Sequence, residues 1–257
     1  MISWLGVLLL LVPAAITGVL LAARFIPRGS HWNLSTAFAA LTLGVIFVGW
    51  VALVLAQLGV FSVPALLIAW VVPVGFLGLW RWRGAGKGDA VGEISSSEDR
   101  LARWEWVMLA VWLVAALWLY FRPHEYIFGG ADAGVYVSLG AEIARNGGFR
   151  VTDELLAEMT PEMRAAVLRP LPNTPFADSY YLPGFYVTDE ATGQLTPQFY
   201  PLHPVLQAIV YGFAGGGAPG IRAELLLTGL WIMLGSLVVY LTARDIGGSM
   251  TGALALA

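Results

Sequence analysis

The sequence predicts an all-α polytopic membrane protein: about five transmembrane helices, interfacial helices, and an external α/β loop carrying a β-hairpin. Three observations lead there. Hydrophobic residues make up 58% of the 257 residues and charged residues only 12%, against about 25% charged in an ordinary soluble domain. Mean hydropathy is +0.73. Several apolar runs exceed the roughly 18 residues that mark a spanning helix. There is no cysteine, so a disulfide framework and a thiolate metal site are both excluded.

Five runs can span. They are Trp4–Ala23, Ala37–Leu58, Phe61–Trp80, Trp106–Phe121 and Leu225–Thr242. At 1.5 Å per residue each covers most or all of a hydrocarbon core of about 30 Å. The first is not read as a signal peptide, because Met1-Ile-Ser-Trp4 lacks the basic residues that open one. The fourth is shortest, but it carries no charge between Glu105 and Arg122, and Trp104, Trp106, Trp118 and Tyr120 suit interfacial belts at its ends.

Lys and Arg in the short loops orient the spans. Arg24 and Arg28 follow the first; Arg81, Arg83, Lys87, Arg100 and Arg103 follow the third; the turn near Gly59 is uncharged. Both basic loops then fall on the cytoplasmic side, and the N-terminus and the segment from about Arg122 to Arg222 fall outside. Gly84–Ser97, rich in Gly and Ser, reads as a flexible linker. The expected organisation is a three-span unit at 1–83, a cytoplasmic linker at 84–104, and a second membrane domain at 105–257 with its external loop at 123–200. Gly252–Ala257 reads as the first turns of another apolar helix, so the chain is expected to be the N-terminal part of a longer protein.

Residues 123–200 hold ten Asp or Glu and four Arg, an acidic balance that suits the outer face. So long a segment should carry elements and function. A short amphipathic helix is expected from about Ala133 to Asn146, with Val135, Leu139 and Ile143 as its apolar stripe, Glu142 and Arg145 on solvated faces, and Asn146-Gly-Gly148 ending it. A second helix, Thr152–Leu168, is interrupted by Pro161. Phe185–Tyr200 reads as a β-hairpin turning at Asp189–Gly193, with Pro197 confining its second strand to an edge. Leu202–Phe213 is too short to cross. Pro201 and Pro204 open it and Gly215-Gly-Gly217 closes it, so it reads as a helix lying at the outer interface. Leu225–Thr242 then crosses inward and leaves Arg244 on the cytoplasmic side.

The strongest candidate for chemistry is Asp132, in Phe128-Gly-Gly-Ala-Asp-Ala-Gly-Val-Tyr136, at the mouth of a membrane helix. An acid there can act on a head group while the lipid tail stays in the bilayer. It could equally be a helix N-cap. Glu224 sits beside the expected interface, where an acid inside the membrane is a functional candidate. His203, Tyr136, Tyr200 and Arg222 read either as site residues or as interfacial and span-end anchors. No P-loop, dinucleotide fingerprint or paired-histidine metal motif occurs, and no basic aromatic patch suggests nucleic acid. Asn33-Leu-Ser35 fits a glycosylation acceptor but falls on the cytoplasmic side.

The order of these features carries a resemblance. A span is followed by a Gly-rich turn with an acid, a Tyr four residues on, an amphipathic helix, a hairpin, Tyr200-Pro-Leu-His-Pro204, Ile221-Arg-Ala-Glu-Leu-Leu and Tyr240-Leu-Thr-Ala-Arg-Asp-Ile-Gly-Gly248. From Trp106 to Gly248 this resembles the N-terminal half of the C-type polytopic membrane glycosyltransferases, the family 39-like and protein-mannosyltransferase-like group. The resemblance implies transfer of a sugar from a polyprenyl-phosphate donor, by an inverting-type reaction, to an acceptor on the outer face of a prokaryotic plasma membrane. It implies Asp132 as the catalytic acid of the first external loop, and Tyr136, Tyr200, His203 and Arg222 as substrate-binding residues. Arg122 is a further candidate for the leaving phosphate. Ala133 stands where the family often has a second acid, which leaves a divalent metal open; no other cofactor is implied. The partners implied are a lipid-linked sugar and membrane lipid, without nucleic acid. A transporter fragment, or a non-catalytic scaffold or sensor with an external domain, remains the alternative.

Overall fold

A computed structural model of the chain describes residues 2–23, 32–83, 101–122, 132–170, 180–182 and 184–256. The loop with Arg24 and Arg28, the linker Gly84–Ser97, and the turn Phe128–Ala131 that precedes Asp132 lie outside the described residues.

Five helices are long and apolar enough to cross a membrane: α1 (Ile2–Ala22), α2 (Leu34–Gln57), α3 (Val63–Arg83), α4 (Arg103–Tyr120) and α9 (Gly217–Leu256). Each contains one of the five expected runs or nearly all of it. Trp50, Ile68, Val72, Phe76 and Val114 are exposed on them. Apolar surface on that scale suits lipid contact and not water.

Small residues bring α1 and α2 to backbone contact. A Cβ on Gly18 would collide with Ala40 O, and one on Gly44 with Ala14 O. The pairs Ala14/Gly18 and Ala40/Gly44 are each spaced by four, the small-residue pattern that lets membrane helices approach closely. Pro13 inside α1 has no N–H to give to the helix hydrogen-bond ladder. Thr17 Oγ1 donates to Pro13 O at 2.8 Å and accepts from Trp70 Nε1 at 2.7 Å, tying α3 to α1. Asn33, in the sequon-like Asn33-Leu-Ser35, caps α2: its Oδ1 accepts from the Thr36 amide at 2.8 Å.

The bundle has two distinct ends. At one, Trp4 stacks on Phe121 with ring centroids 5.0 Å apart, and the Phe61 amide in the α2–α3 turn donates to Gly147 O at 2.8 Å. At the other, Glu105 near the start of α4 accepts from Tyr240 Oη at 2.8 Å and Arg244 Nε at 2.9 Å, both on α9. Glu105 also reaches back to the Ala102 amide at 2.8 Å, completing the first turn of its own helix. Helix α9 is two helices meeting at Gly248, where φ is +80° and ψ 179°. The expected span Leu225–Thr242 lies in the first piece and Gly252 in the second.

Between α4 and α9 the chain forms α5 (Asp132–Asn146), β1 (Val151–Thr152), α6 (Glu154–Glu158), α7 (Pro161–Val167), β2 (Arg169–Pro170), β3 (Tyr180–Leu182), β4 (Phe185–Asp189), β5 (Gln194–Pro197) and α8 (Leu202–Phe213). Pro161 divides the second expected helix in two, and Asp153 and Thr160 cap the pieces through the Leu156 and Met163 amides. The hairpin is β4 and β5. Asp189 Oδ1 accepts from the Ala191 and Thr192 amides at 2.9 and 3.4 Å, and Gly193 takes φ +67° to close the turn. Arg164 is buried and ties α7 to the turn through Glu190 at 3.1 Å.

One expectation needs correction. The antiparallel sheet runs β1-β5-β4-β3-β2, so β5 is not an edge strand. Pro197 is tolerated because β1 pairs only with Gln194 and Leu195, leaving its free side unpaired. Helix α8 has the expected bounds, Leu202–Phe213. Pro204–Tyr211 are all buried, enclosed by α1, α2, α5 and α9. The helix is apolar enough for such enclosure, with His203 and Gln207 as its polar side chains.

Candidate functional site

Helices α5, α8 and α9 meet in tiers. On α5, Val135, Leu139 and Ile143 are buried as their spacing predicts, while Glu142 and Arg145 pair at 2.8 Å on the exposed side. Gly147 ends the helix at φ +80°, donating to Ile143 O at 2.9 Å.

The first tier holds Tyr136, His203 and Trp231. The Tyr136 ring stands edge-on to His203 with centroids 5.5 Å apart. The Trp231 indole N–H donates to His203 Nδ1 at 3.3 Å. Phe199 also packs on Tyr136, with ring centroids 5.2 Å apart. Burial in this aromatic setting holds the His203 imidazole below its ordinary titration range.

The second tier lies one turn along α5 and α8, at Gly140 and Gln207, and two turns along α9, at Glu224. A Cβ on Gly140 would sit 2.7 Å from Gln207 Cβ and 2.7 Å from Glu224 Oε1. Only glycine lets the carboxyl group pack there. Glu224 is fully buried, and among the described residues neither of its oxygens, nor Gln207 Oε1, has a hydrogen-bond partner. Beyond this tier, the Tyr211 hydroxyl, against the desolvation that burial imposes, and then the Glu142 carboxylate hold the Arg145 guanidinium charged more firmly than usual.

Asp132 is the first residue of α5 and is exposed. It precedes Tyr136 by four residues, so the two share a helix face, and its charge favours the positive end of the helix. The sequence-predicted site is therefore assembled in part. Tyr136 and His203 meet across the α5–α8 contact, and Asp132 lies one turn before Tyr136 on α5. Tyr200 is 93% exposed; its neighbour Phe199 takes the packing position instead. Arg222 is exposed on α9. The Arg122 guanidinium lies 4.4 Å over the Trp118 ring, an anchoring contact.

Trp231, Gln207 and Gly140 are additions that the sequence reading did not single out. The available signal was spacing: Tyr136 and Gly140, and His203 and Gln207, are four apart, while Glu224 and Trp231 are seven apart. An apolar groove of about 320 Å³ lies beside the first tier, between α2, α8 and α9, bounded by Thr42, Ile46, Leu202, Leu206, Trp231 and Val238. Trp231 is common to groove and tier. No group of three or more His, Asp or Glu converges as a metal ion would need, among the described residues. Compared with known proteins, the chain matches no family model, no curated protein and no solved structure.

Proposed function

We propose that the chain is part of a membrane glycosyltransferase that moves a sugar from a polyprenyl-phosphate donor to an acceptor hydroxyl on the outer face of the membrane. One observation carries the reading. Trp231 joins a polar tier, one helical turn from an exposed acid, to an apolar groove. A lipid-linked sugar has the same two parts. Its chain needs apolar walls, and its phosphate and sugar need polar groups at the end of those walls.

In the proposed reaction Asp132 takes the proton of the acceptor hydroxyl. The acceptor oxygen attacks the anomeric carbon as the bond from that carbon to the phosphate oxygen breaks. The polyprenyl phosphate departs with the bonding electron pair, and the configuration at carbon inverts. The departing charge needs N–H or cationic donors; His203 is the candidate within the tier, and Arg222 and Tyr200 would have to reach it from exposed positions.

Asp132→Asn tests the assignment. Asparagine matches aspartate as a capping group, so folding should be retained. Transfer in membranes supplied with a polyprenyl-phosphate sugar should fall on the order of 10²-fold or more. An Asn variant with unchanged transfer returns Asp132 to a structural role.

A further inference from the structure

The geometry points to Trp231 as a positioning residue: by donating its indole N–H to Nδ1, it holds His203 as the neutral tautomer whose only ring donor is Nε2–H. A neutral imidazole carries one proton and one lone pair. The indole nitrogen is a donor only, and at 3.3 Å from Nδ1 it requires the lone pair there. The ring proton is thereby assigned to Nε2. Protonating Nδ1 would set two N–H groups against each other, so the contact also opposes the imidazolium.

The groups around the ring agree with this. From α5 comes Tyr136, edge-on, with Asp132 one turn before it on the same face. From α9 come Trp231 and, two turns along, Glu224, whose carboxyl group packs against Gly140. From α8 itself comes Gln207, and ahead of α8 lies Phe199 against Tyr136. Among the described residues no carboxylate pairs with His203, so the usual partner that stabilises imidazolium is not what orients it. A neutral Nε2–H suits a group that must donate to a departing phosphate without trapping it as an ion pair. That last role rests on the transferase reading; the tautomer does not.

The experiment uses the full chain in lipid nanodiscs, with ¹⁵N-labelled histidine. The chain has three histidines, so His31→Gln and His124→Gln leave His203 as the single signal. Two-bond ¹H–¹⁵N correlation at neutral pH should give the Nε2–H pattern. In Trp231→Phe the two tautomers should mix, and the titration midpoint should rise by roughly half to one unit, the equivalent of one ordinary hydrogen bond. An Nδ1–H or imidazolium pattern in the parent, or an unchanged pattern and midpoint in Trp231→Phe, overturns the inference. Should Trp231→Phe fail to fold, His203→Phe reads the same bond from the other side. In that variant, with ¹⁵N-labelled tryptophan and Trp231 assigned by its loss in Trp231→Tyr, the Trp231 indole N–H resonance should shift, and an unmoved resonance is equally fatal. If the tautomer behaves as stated while no sugar transfer is found for any donor, the positioning stands and the transferase reading falls.

Discussion

Removing the Glu105 carboxylate should loosen α4 from α9, and the structure sets the size of the effect. The Glu105 side chain is 2% exposed and that of Arg244 is 13% exposed, 2.9 Å apart. Tyr240, itself fully buried, adds a hydroxyl at 2.8 Å. Taking one partner from a buried ion pair costs about 3–5 kcal/mol. Arg244 keeps some access to solvent, so Glu105→Ala belongs near the low end, about 3 kcal/mol. Tyr240→Phe removes one charge-assisted bond and leaves two donors on the carboxylate, which points to about 1.5 kcal/mol. The triple variant Glu105→Met, Tyr240→Phe, Arg244→Met exchanges the polar cluster for apolar side chains and should return close to the parent. Thermal unfolding in one detergent reads all three. At roughly 2–4 °C per kcal/mol, Glu105→Ala should melt on the order of 6–12 °C lower, Tyr240→Phe about half as far, and the triple variant near the parent. A triple variant as unstable as Glu105→Ala would show that the cluster contributes through shape and not through paired charge, and would refute the reasoning.

Two further outcomes follow from packing and titration. Gly140→Ala should destabilise by about 1–3 kcal/mol, the cost of overpacking, because its Cβ meets Gln207 Cβ at 2.7 Å. The control Gly78→Ala has nothing within 4 Å and should stabilise by up to about 1 kcal/mol in the same melting series. Because His203 titrates below its ordinary range, the unfolded chain binds the extra proton first. Stability should therefore be complete above a pH of about 6.5, fall as pH drops below it, and level off once the folded-state value is passed. His203→Gln should flatten that slope in unfolding measured across the same range.

Much of the fold was legible because its signals are local. Run length alone separates α1, α2, α3, α4 and α9 from the rest. Four-residue spacing of Val135, Leu139 and Ile143 named the buried face of α5, and Asp189 with Gly193 named the hairpin turn. What stayed hidden depends on how one helix is rotated against another far away in sequence. Tyr240 and Arg244 meet Glu105 across separations of 135 and 139 residues, and hydropathy carries no information about that meeting. The same holds for Phe199 displacing Tyr200, where one residue of phase decides which ring packs and which stays in the open. It holds for α8 too: shortness says a helix does not span, but not whether it lies against lipid or among other helices.

The division between long and short helices gives the candidate site its physical sense. At 1.5 Å per residue, α5 and α8 are about 22 and 18 Å long, below the thickness of a hydrocarbon core. Asp132, Tyr136, His203 and Gln207 all ride on these two helices. A polar side chain on a full span must find a partner within the bundle or bear its desolvation. One on a short helix can open toward a helix end, as Asp132 does. The long helices instead supply rigidity: backbone-close packing of α1 on α2 through Gly18 and Gly44, and the Glu105 cluster between α4 and α9. Helix α9 takes part in both arrangements, carrying Glu224 and Trp231 at the tiers and Tyr240 and Arg244 at the opposite end. Weakening the Glu105 cluster therefore frees the far end of the same helix that holds the indole against His203. The tautomer measured in the Glu105→Ala background decides whether that rod is stiff. An unchanged Nε2–H pattern means that contacts with α5 and α8 suffice to hold Trp231, and a mixed pattern means that the clamp is part of what positions it.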